Sequence, residues 1–131
     1  MGAYEPVPNT MDRIAAAVVD AAYKVHTTLG PGLLESVYET CLCHELTRRG
    51  MPFRRQLDIP IVYDGATLDA GLRLDLLVGD CIIVEIKAVE RMNPLYEAQV
   101  LTYLKLTNLR LGLLINFNVP VIRDGIKRLI L

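Results

Sequence analysis

Three ionisable side chains interrupt two otherwise apolar segments in the middle of the chain. Asp75 lies within "GLRLDLLVGD", and Glu85 and Lys87 close the segment "CIIVEIK". Side chains alternate between the two faces of a strand, so Glu85 and Lys87 share one face with Ile83. Burying a carboxylate or an ammonium group costs several kcal/mol unless it finds a partner. The three residues are therefore candidates for a site that binds an opposite charge.

The loop between the two segments decides whether Asp75 reaches the face that carries Glu85. A three-residue loop at 78–80 would place Asp75 opposite Ile83, with both acids on the same face. A two-residue loop at 79–80 would turn Asp75 to the other face, although a bulge would restore it. We expect the first register, because it brings the two carboxylates together.

Paired carboxylates of this kind favour a bound cation. At about 4 Å, two such charges repel by roughly 4 kcal/mol with an effective dielectric constant near 20. Either one carboxylate takes up a proton or a cation lies between them, and oxygen ligands suit Mg²⁺ or Mn²⁺. Lys87 lies near enough to contact a water molecule or a phosphate oxygen. This combination predicts metal-assisted attack of water on a phosphodiester, whereas the simpler alternative is a solvated strand end with a surface ion pair.

Two further polar patterns lie on predicted helices. Gly32, Glu35 and Tyr38 recur at intervals of three residues near a helix start, and Gln99 and Tyr103 are four residues apart on another helix. We expect Gly32 to let its helix start approach the sheet closely. The alternatives are a capping charge at Glu35 and the polar margin of an amphipathic helix at Gln99 and Tyr103.

These residues must be positioned by the secondary structure, which the periodicity and turn signals predict in outline. We predict helices at about 10–29, 33–49 and 93–108, and strands at about 53–63, 67–78, 81–88, 110–117 and 126–131. The order ααβββαββ indicates an α/β (α+β) domain with a mixed central sheet flanked by helices. A single domain at 10–131 would follow a flexible arm at 1–9.

Composition limits the classes of function. The 131 residues carry a net charge of −1, so any binding of nucleic acid must be local rather than spread over a basic surface. The dense basic cluster provides the candidate phosphate contacts Arg48, Arg49, Arg54 and Arg55. The apolar fraction of 52% and the short final strand indicate a homodimer or a subunit of a complex, and no apolar run is long enough to span a membrane.

Three cysteines and the lack of a secretory signal indicate a reducing compartment, so we expect a cytoplasmic protein. The spacing of Cys41, Cys43 and His44 is wrong for a closed tetrahedral zinc site.

Taken in order, Asp75, then Glu85-x-Lys87, then Gln99-x-x-x-Tyr103 resemble the core of the PD-(D/E)XK nucleases, particularly the RecB-like branch. The chain also resembles the GxxExxY family of that superfamily, through its Gly32-x-x-Glu35-x-x-Tyr38. The resemblance covers about 12–131 and implies a restriction-endonuclease-like core. One departure is Leu74, where the pattern has a proline directly before its first acid.

The resemblance implies a role for each residue of the site. Asp75, Glu85 and the Ile86 carbonyl would bind Mg²⁺, and Glu35 would be a helix-borne acid near the metal. Lys87 would position the attacking water or stabilise charge.

Gln99 and Tyr103 would line the site, with Tyr103 touching phosphate and Tyr38 adding a contact to nucleic acid. We therefore expect a Mg²⁺-dependent or Mn²⁺-dependent nuclease that acts on DNA in preference to RNA. The alternatives are a non-catalytic module that binds nucleic acid or a protein partner, and a hydrolase of a small phosphorylated substrate.

Overall fold

The computed structural model describes residues 5–131, and residues 1–4 of the predicted arm lie outside this range. The helices are α1 (Asn9–Leu29), α2 (Glu35–Arg48) and α3 (Pro94–Thr107), and the strands are β1 (Phe53–Tyr63), β2 (Ala66–Val78), β3 (Ile82–Lys87), β4 (Leu111–Asn116) and β5 (Ile126–Ile130). A short 3₁₀ helix, Ile122–Gly125, precedes β5. The predicted order ααβββαββ is confirmed.

The five strands form one mixed sheet in the order β1-β2-β3-β4-β5. Strands β3 and β4 run parallel and α3 connects them, whereas the other neighbours are antiparallel. All six residues of β4 are buried, as are all but the last of β3. Apolar strands of this kind are typical of a sheet that is covered on both faces. Because β3 and β4 run parallel, their carboxyl ends lie at the same end of the sheet.

Helices cover the two faces of the sheet and divide the core into two clusters. On one face, α1 and α2 pack against β3 side chains such as Val84 and Ile86. On the other face, α3 packs against Ile83 of β3 and Leu114 of β4. The predicted mixed sheet flanked by helices is thus confirmed, and Glu85 lies on the face covered by α3.

The hairpin between β2 and β3 has a register that neither predicted loop gives. Cross-strand pairs run from Val78↔Ile82 to Leu76↔Val84, so the loop is residues 79–81. Gly79 and Asp80 both have a left-handed backbone, with φ of 59° and 57°, and this conformation turns the chain one residue later than expected. The shift from the expected register is two residues, which leaves every side chain on its expected face.

Strands β1 and β2 continue beyond β3 as an exposed two-stranded ribbon, which we call the β-ribbon, at residues 59–72. Its register shifts between Ile59 and Ile61, next to Pro60. Closer to the body of the sheet, Gln56 takes a left-handed backbone with φ of 51°. These irregularities give the outer strand a broken hydrogen-bonding edge.

Residues 5–7 of the predicted arm are fixed to the domain. Within the predicted arm, Val7 is buried against the core, and Arg110 donates hydrogen bonds to the carbonyl oxygens of Glu5 and Pro6 at 2.6 and 3.2 Å. None of the helices in residues 5–131 has the length and apolar character needed to cross a membrane.

Candidate active site

Asp75 and Glu85 meet where the hydrogen-bond ladder between β2 and β3 ends. The last ladder pair is Leu76↔Val84, and one residue further on the two acids take over the pairing. The Asp75 N–H donates to Glu85 Oε2 at 2.8 Å, and the Ile86 N–H donates to Asp75 Oδ2 at 2.8 Å. Each carboxylate thus accepts a hydrogen bond from a backbone N–H of the neighbouring strand. This exchange fixes both carboxylates side by side.

The electrostatics of the pair show that its negative charge is poorly compensated. Glu85 is 5% exposed, and burial followed by the charge of Asp75 raises its pKa to about 8. Burial is also the main cause that raises the pKa of Asp75, although the hydrogen bond from Ile86 opposes the shift. The charge of Lys87 lowers the pKa of both acids but does not outweigh burial.

Glu35 belongs to the same electrostatic environment. It stands at the first turn of α2 and is largely exposed. Partial burial of its carboxylate, followed by the charge of Asp75, raises its pKa, and Lys87 acts in the opposite direction. The structure therefore brings the helix-borne acid and the strand-borne acids together, as the sequence predicts.

Lys87, Gln99 and Tyr103 line a groove beside the carboxylates. The Lys87 Nζ lies 4.6 Å from the centre of the Tyr96 ring, a cation–π contact. Tyr103 is 6% exposed, and burial followed by the charge of Glu85 raises its pKa. A hydrogen bond from Gln99 partly opposes that shift. All six predicted site side chains thus converge on one end of the sheet.

The donor set suits a divalent cation held by two carboxylates. Hard divalent ions prefer oxygen ligands, and a cation would oppose the effect of burial, which is the main cause that raises the pKa of Asp75 and of Glu85. Among residues 5–131, no group of three or more His, Cys, Asp and Glu side chains is arranged to hold a metal ion. Asp75 and Glu85 are therefore the central pair of the candidate site, and the role of Glu35 as a further ligand stays a prediction.

Two residues that the sequence analysis did not single out support this site. Glu39 is 6% exposed and accepts hydrogen bonds from Arg55 Nε at 2.7 Å and from Gln56 Nε2 at 2.8 Å. The same Gln56 amide lies 3.5 Å from Asp75 Oδ1. The only signal in the sequence is that Glu39 follows Glu35 by four residues, which places both acids on one side of α2.

The arginines predicted to contact phosphate are all engaged within the chain. Arg54 pairs with Asp80 at 2.9 Å and Arg55 pairs with Glu39 at 2.7 Å. Glu45 is shared by the other two, Arg48 at 3.1 Å and Arg49 at 3.6 Å. Their contact with phosphate remains a prediction, and it would require these ion pairs to open.

Tyr38 has a structural role, which contradicts the prediction that it contacts nucleic acid. Its side chain is fully buried and its ring stacks on Phe117, with 4.7 Å between centroids. Its hydroxyl donates to the Gly30 carbonyl at 2.7 Å and accepts from the Leu33 N–H at 3.1 Å. Tyr38 thus fixes the loop that precedes α2.

The expected role of Gly32 is also wrong. A Cβ at this position would meet no atom within 4 Å, so close approach to the sheet is not the reason for glycine. Its φ of 98° is the reason, because side chains disfavour that backbone conformation.

Asn116 is a second buried polar residue that the sequence analysis missed. It lies at the end of β4, is 2% exposed, and pairs with Val89 through both its amide oxygen and its amide nitrogen at 3.1 and 3.0 Å. The amide oxygen also accepts from the Asn118 N–H at 3.1 Å. Asn118 in turn accepts from the Gly32 N–H at 3.0 Å. We call Tyr38, Asn116 and Asn118 the neutral network.

Comparison with known proteins supports the chemistry that this geometry indicates. A model of the PD-(D/E)XK nuclease superfamily matches residues 12–129. No curated protein and no solved structure matches the chain. The nucleases of this superfamily generally use divalent metal ions and act on nucleic acid. The match includes every residue of the carboxylate site, and the chain belongs to the PD-(D/E)XK nuclease superfamily.

Proposed function

We propose that the protein is a metal-dependent nuclease that hydrolyses phosphodiester bonds in DNA, in preference to RNA, with Mg²⁺ or Mn²⁺. The observation that carries the proposal is the pairing of Asp75 with Glu85 at the end of the β2–β3 ladder. A buried carboxylate beside a half-buried one, both with raised pKa values, is an expensive arrangement for folding alone. Sites that bind a cation and activate water need such an arrangement.

Each residue of the site has a role in the proposal. Asp75, Glu85 and the Ile86 carbonyl would hold the ion, which lowers the pKa of a water molecule and so supplies the nucleophile. The Lys87 ammonium, on a flexible stem beside Tyr96, would orient that water or stabilise negative charge on the phosphate.

The groove residues act on the phosphate. Because the pKa of Tyr103 is raised, its hydroxyl stays protonated and is able to donate to a phosphate oxygen together with the Gln99 amide. Glu35 would act from α2 as a nearby acid that accepts a hydrogen bond from water.

Within the superfamily, we propose membership of the RecB-like branch and of the GxxExxY family, on the spacing of Gly32, Glu35 and Tyr38. The free state of all three cysteines supports a reducing environment such as the cytoplasm. The exposed apolar side chains Val62, Tyr63 and Leu68 of the β-ribbon support a homodimer.

The experiment is a cleavage assay on single-stranded DNA, duplex DNA and RNA with Mg²⁺, with Mn²⁺ and with a chelator. We expect the wild type to cut DNA only when a metal is present. Asp75→Asn and Glu85→Gln should each lower the rate by at least about a hundredfold, because each removes a charged ligand. Lys87→Ala should lose cleavage while the protein still binds metal.

The matched control is Glu90→Gln, which removes an exposed carboxylate just after β3 and should leave the rate unchanged. If cleavage copurifies at equal rates with the wild type and with both acid variants, the activity comes from a contaminant and the proposal fails.

A second candidate function is a nuclease-fold module that binds nucleic acid or a protein without cutting. The observation in its favour is that the four predicted phosphate-binding arginines are engaged in ion pairs. Melting temperatures separate the two candidates, because metal should stabilise the wild type more than Asp75→Asn or Glu85→Gln. An identical response of all three proteins to Mg²⁺ and Mn²⁺ would favour the module.

A further inference from the structure

A groove of about 580 Å³ lies between α3, the middle of β2 at Leu72 and the end of β3 at Lys87. Lys87 and Tyr103 are part of its wall and both interact electrostatically with Glu85, so the groove adjoins the carboxylate site. Its volume lies within the range of roughly 300–1,000 Å³ that is typical of ligand sites. We call it the β2–α3 groove, and its principal residues are Leu72, Lys87, Leu95, Tyr96, Gln99 and Tyr103.

The lining of the groove is mainly apolar and aromatic. Leu95 is 70% exposed, and Leu72 and Tyr96 are half-buried, so their apolar surfaces face the space beside the site. Lys87 is the only charged residue among the described residues that line the groove. Its Nζ lies over the Tyr96 ring, so a phosphate-binding cation and an aromatic surface are immediate neighbours.

This composition does not suit a double helix. A protein that grips duplex DNA does so mainly through several lysines and arginines, each on one phosphate. Single strands are held differently, by bases that stack on aromatic and apolar side chains and by a smaller number of cations. A groove with one lysine, one exposed leucine and two tyrosines fits the second pattern.

We propose that the β2–α3 groove binds an unpaired nucleobase next to the phosphate at Lys87, so that single-stranded nucleic acid is the substrate class. The inference rests on the proposed nuclease function. Tyr96 and Leu95 provide the surface for the base, and Lys87 binds the phosphate that joins this nucleotide to the next.

The experiment measures the binding of short fluorescent DNA by anisotropy in the Glu85→Gln background, where cleavage is not expected. The probes are a single strand, an abasic strand with the same phosphates, and a duplex. We expect the single strand to bind about tenfold more tightly than either of the others, since stacking contributes about 1–3 kcal/mol per base. Tyr96→Ala should remove about tenfold of that affinity and leave the abasic strand unaffected.

Three further variants distinguish a loss of binding in the groove from a loss of folding. Tyr96→Phe keeps the ring and should bind as the parent does. Leu95→Ala changes a mostly exposed side chain, so it should fold normally and lose about twofold to fivefold on the single strand only. Tyr23→Ala removes an exposed tyrosine from α1, on the opposite face of the sheet, and should change nothing.

Equal losses on the single strand, the abasic strand and the duplex would overturn the subsite, and so would no loss at all. A change of oligomeric state in Leu95→Ala, seen by light scattering, would also overturn it and make the groove a protein interface. Cleavage by the wild type separates this inference from the function. Metal-dependent cutting with no effect of Tyr96→Ala on binding would overturn the base subsite alone. Base-dependent binding without any cutting would overturn the nuclease function alone.

Discussion

The carboxyl ends of β3 and β4 each carry a buried polar group, yet the two groups are in opposite electrostatic states. Glu85 at the end of β3 faces Asp75, and burial raises its pKa to about 8. Asn116 at the end of β4 is buried to a similar degree, but its neutral amide is paired with Val89 and Asn118. Both groups lie at the same end of one sheet, where Lys87 of β3 pairs with Asn116 of β4.

The difference separates a polar group that serves the fold from one that costs it stability. The neutral network fixes the loop before α2, and all its hydrogen bonds are made with uncharged groups. The carboxylate pair has backbone donors too, but the donors do not compensate for two negative charges in a poorly solvated place.

The largest expected effect is on the pH dependence of stability. Below about pH 4.5, the usual pKa of a glutamate, Glu85 is protonated in both the folded and the unfolded chain. As the pH rises to about 8, only the unfolded chain ionises, so the free energy of unfolding falls by about 1.4 kcal/mol per pH unit. Glu85→Gln removes that loss and should be more stable than the wild type by roughly 5 kcal/mol above about pH 8.

Urea denaturation across this pH range measures the effect. Glu90→Gln is the control and should keep the wild-type slope, since Glu90 is exposed. Parallel slopes for the wild type and Glu85→Gln would show that the two polar regions do not differ in the proposed way.

The next effect is a loss of stability from the neutral network. Asn116→Ala leaves the N–H and the carbonyl of Val89 without partners in a half-buried place, and should cost about 2 kcal/mol. The loss should be the same at every pH, because no titrating group is removed. Asn118→Ala, which gives up its bond to Gly32, should cost about 1 kcal/mol or less. A loss of stability in Asn116→Ala that varies with pH would contradict the contrast between the neutral network and the carboxylate pair.

A smaller effect is expected at Tyr38. Tyr38→Phe keeps the stack on Phe117 and removes the hydroxyl that bonds Gly30 and Leu33, at a cost of about 1 kcal/mol. Its affinity for DNA should equal that of the wild type in the same anisotropy assay. Weaker DNA binding at unchanged stability would restore the sequence prediction that Tyr38 contacts nucleic acid.

The smallest effect is expected away from both regions. Arg54 and Asp80 form an exposed ion pair at the other end of the sheet, so Arg54→Ala should change stability by at most about 0.5 kcal/mol. Thermal denaturation with and without salt is the measurement. A loss as large as that of Asn116→Ala would mean that surface charge, rather than buried polarity, controls this fold.

The architecture could be predicted because its signals are local. The bounds of β1 agree fully with the prediction, and α3 begins as predicted, with the Asn93 side chain accepting from the Leu95 N–H at 2.9 Å. The shared face of Asp75 and Glu85 could also be predicted. Side chains alternate faces along a strand, so changing the pairing register by two residues leaves each side chain on the same face.

The finer geometry could not be predicted, because it depends on conformations and contacts that are distant in sequence. The register followed from the left-handed backbone at Gly79 and Asp80, which several turn types allow. The burial of Tyr38 depends on Phe117, and the hydrogen bonds of Asn116 depend on Val89, more than 20 residues away in the chain. Nothing in the local sequence marks these pairs.

The interrupted edge of β1 has a consequence for the protein in a crowded cell. An open strand edge invites another chain to extend the sheet, and the product is often an insoluble fibre. Three features of β1 interrupt the row of backbone hydrogen-bonding groups that an incoming strand would need. They are the left-handed backbone at Gln56, the missing N–H of Pro60 and the register shift after Ile59. The same backbone that presents Gln56 to the acids therefore also protects the nuclease fold from aggregation.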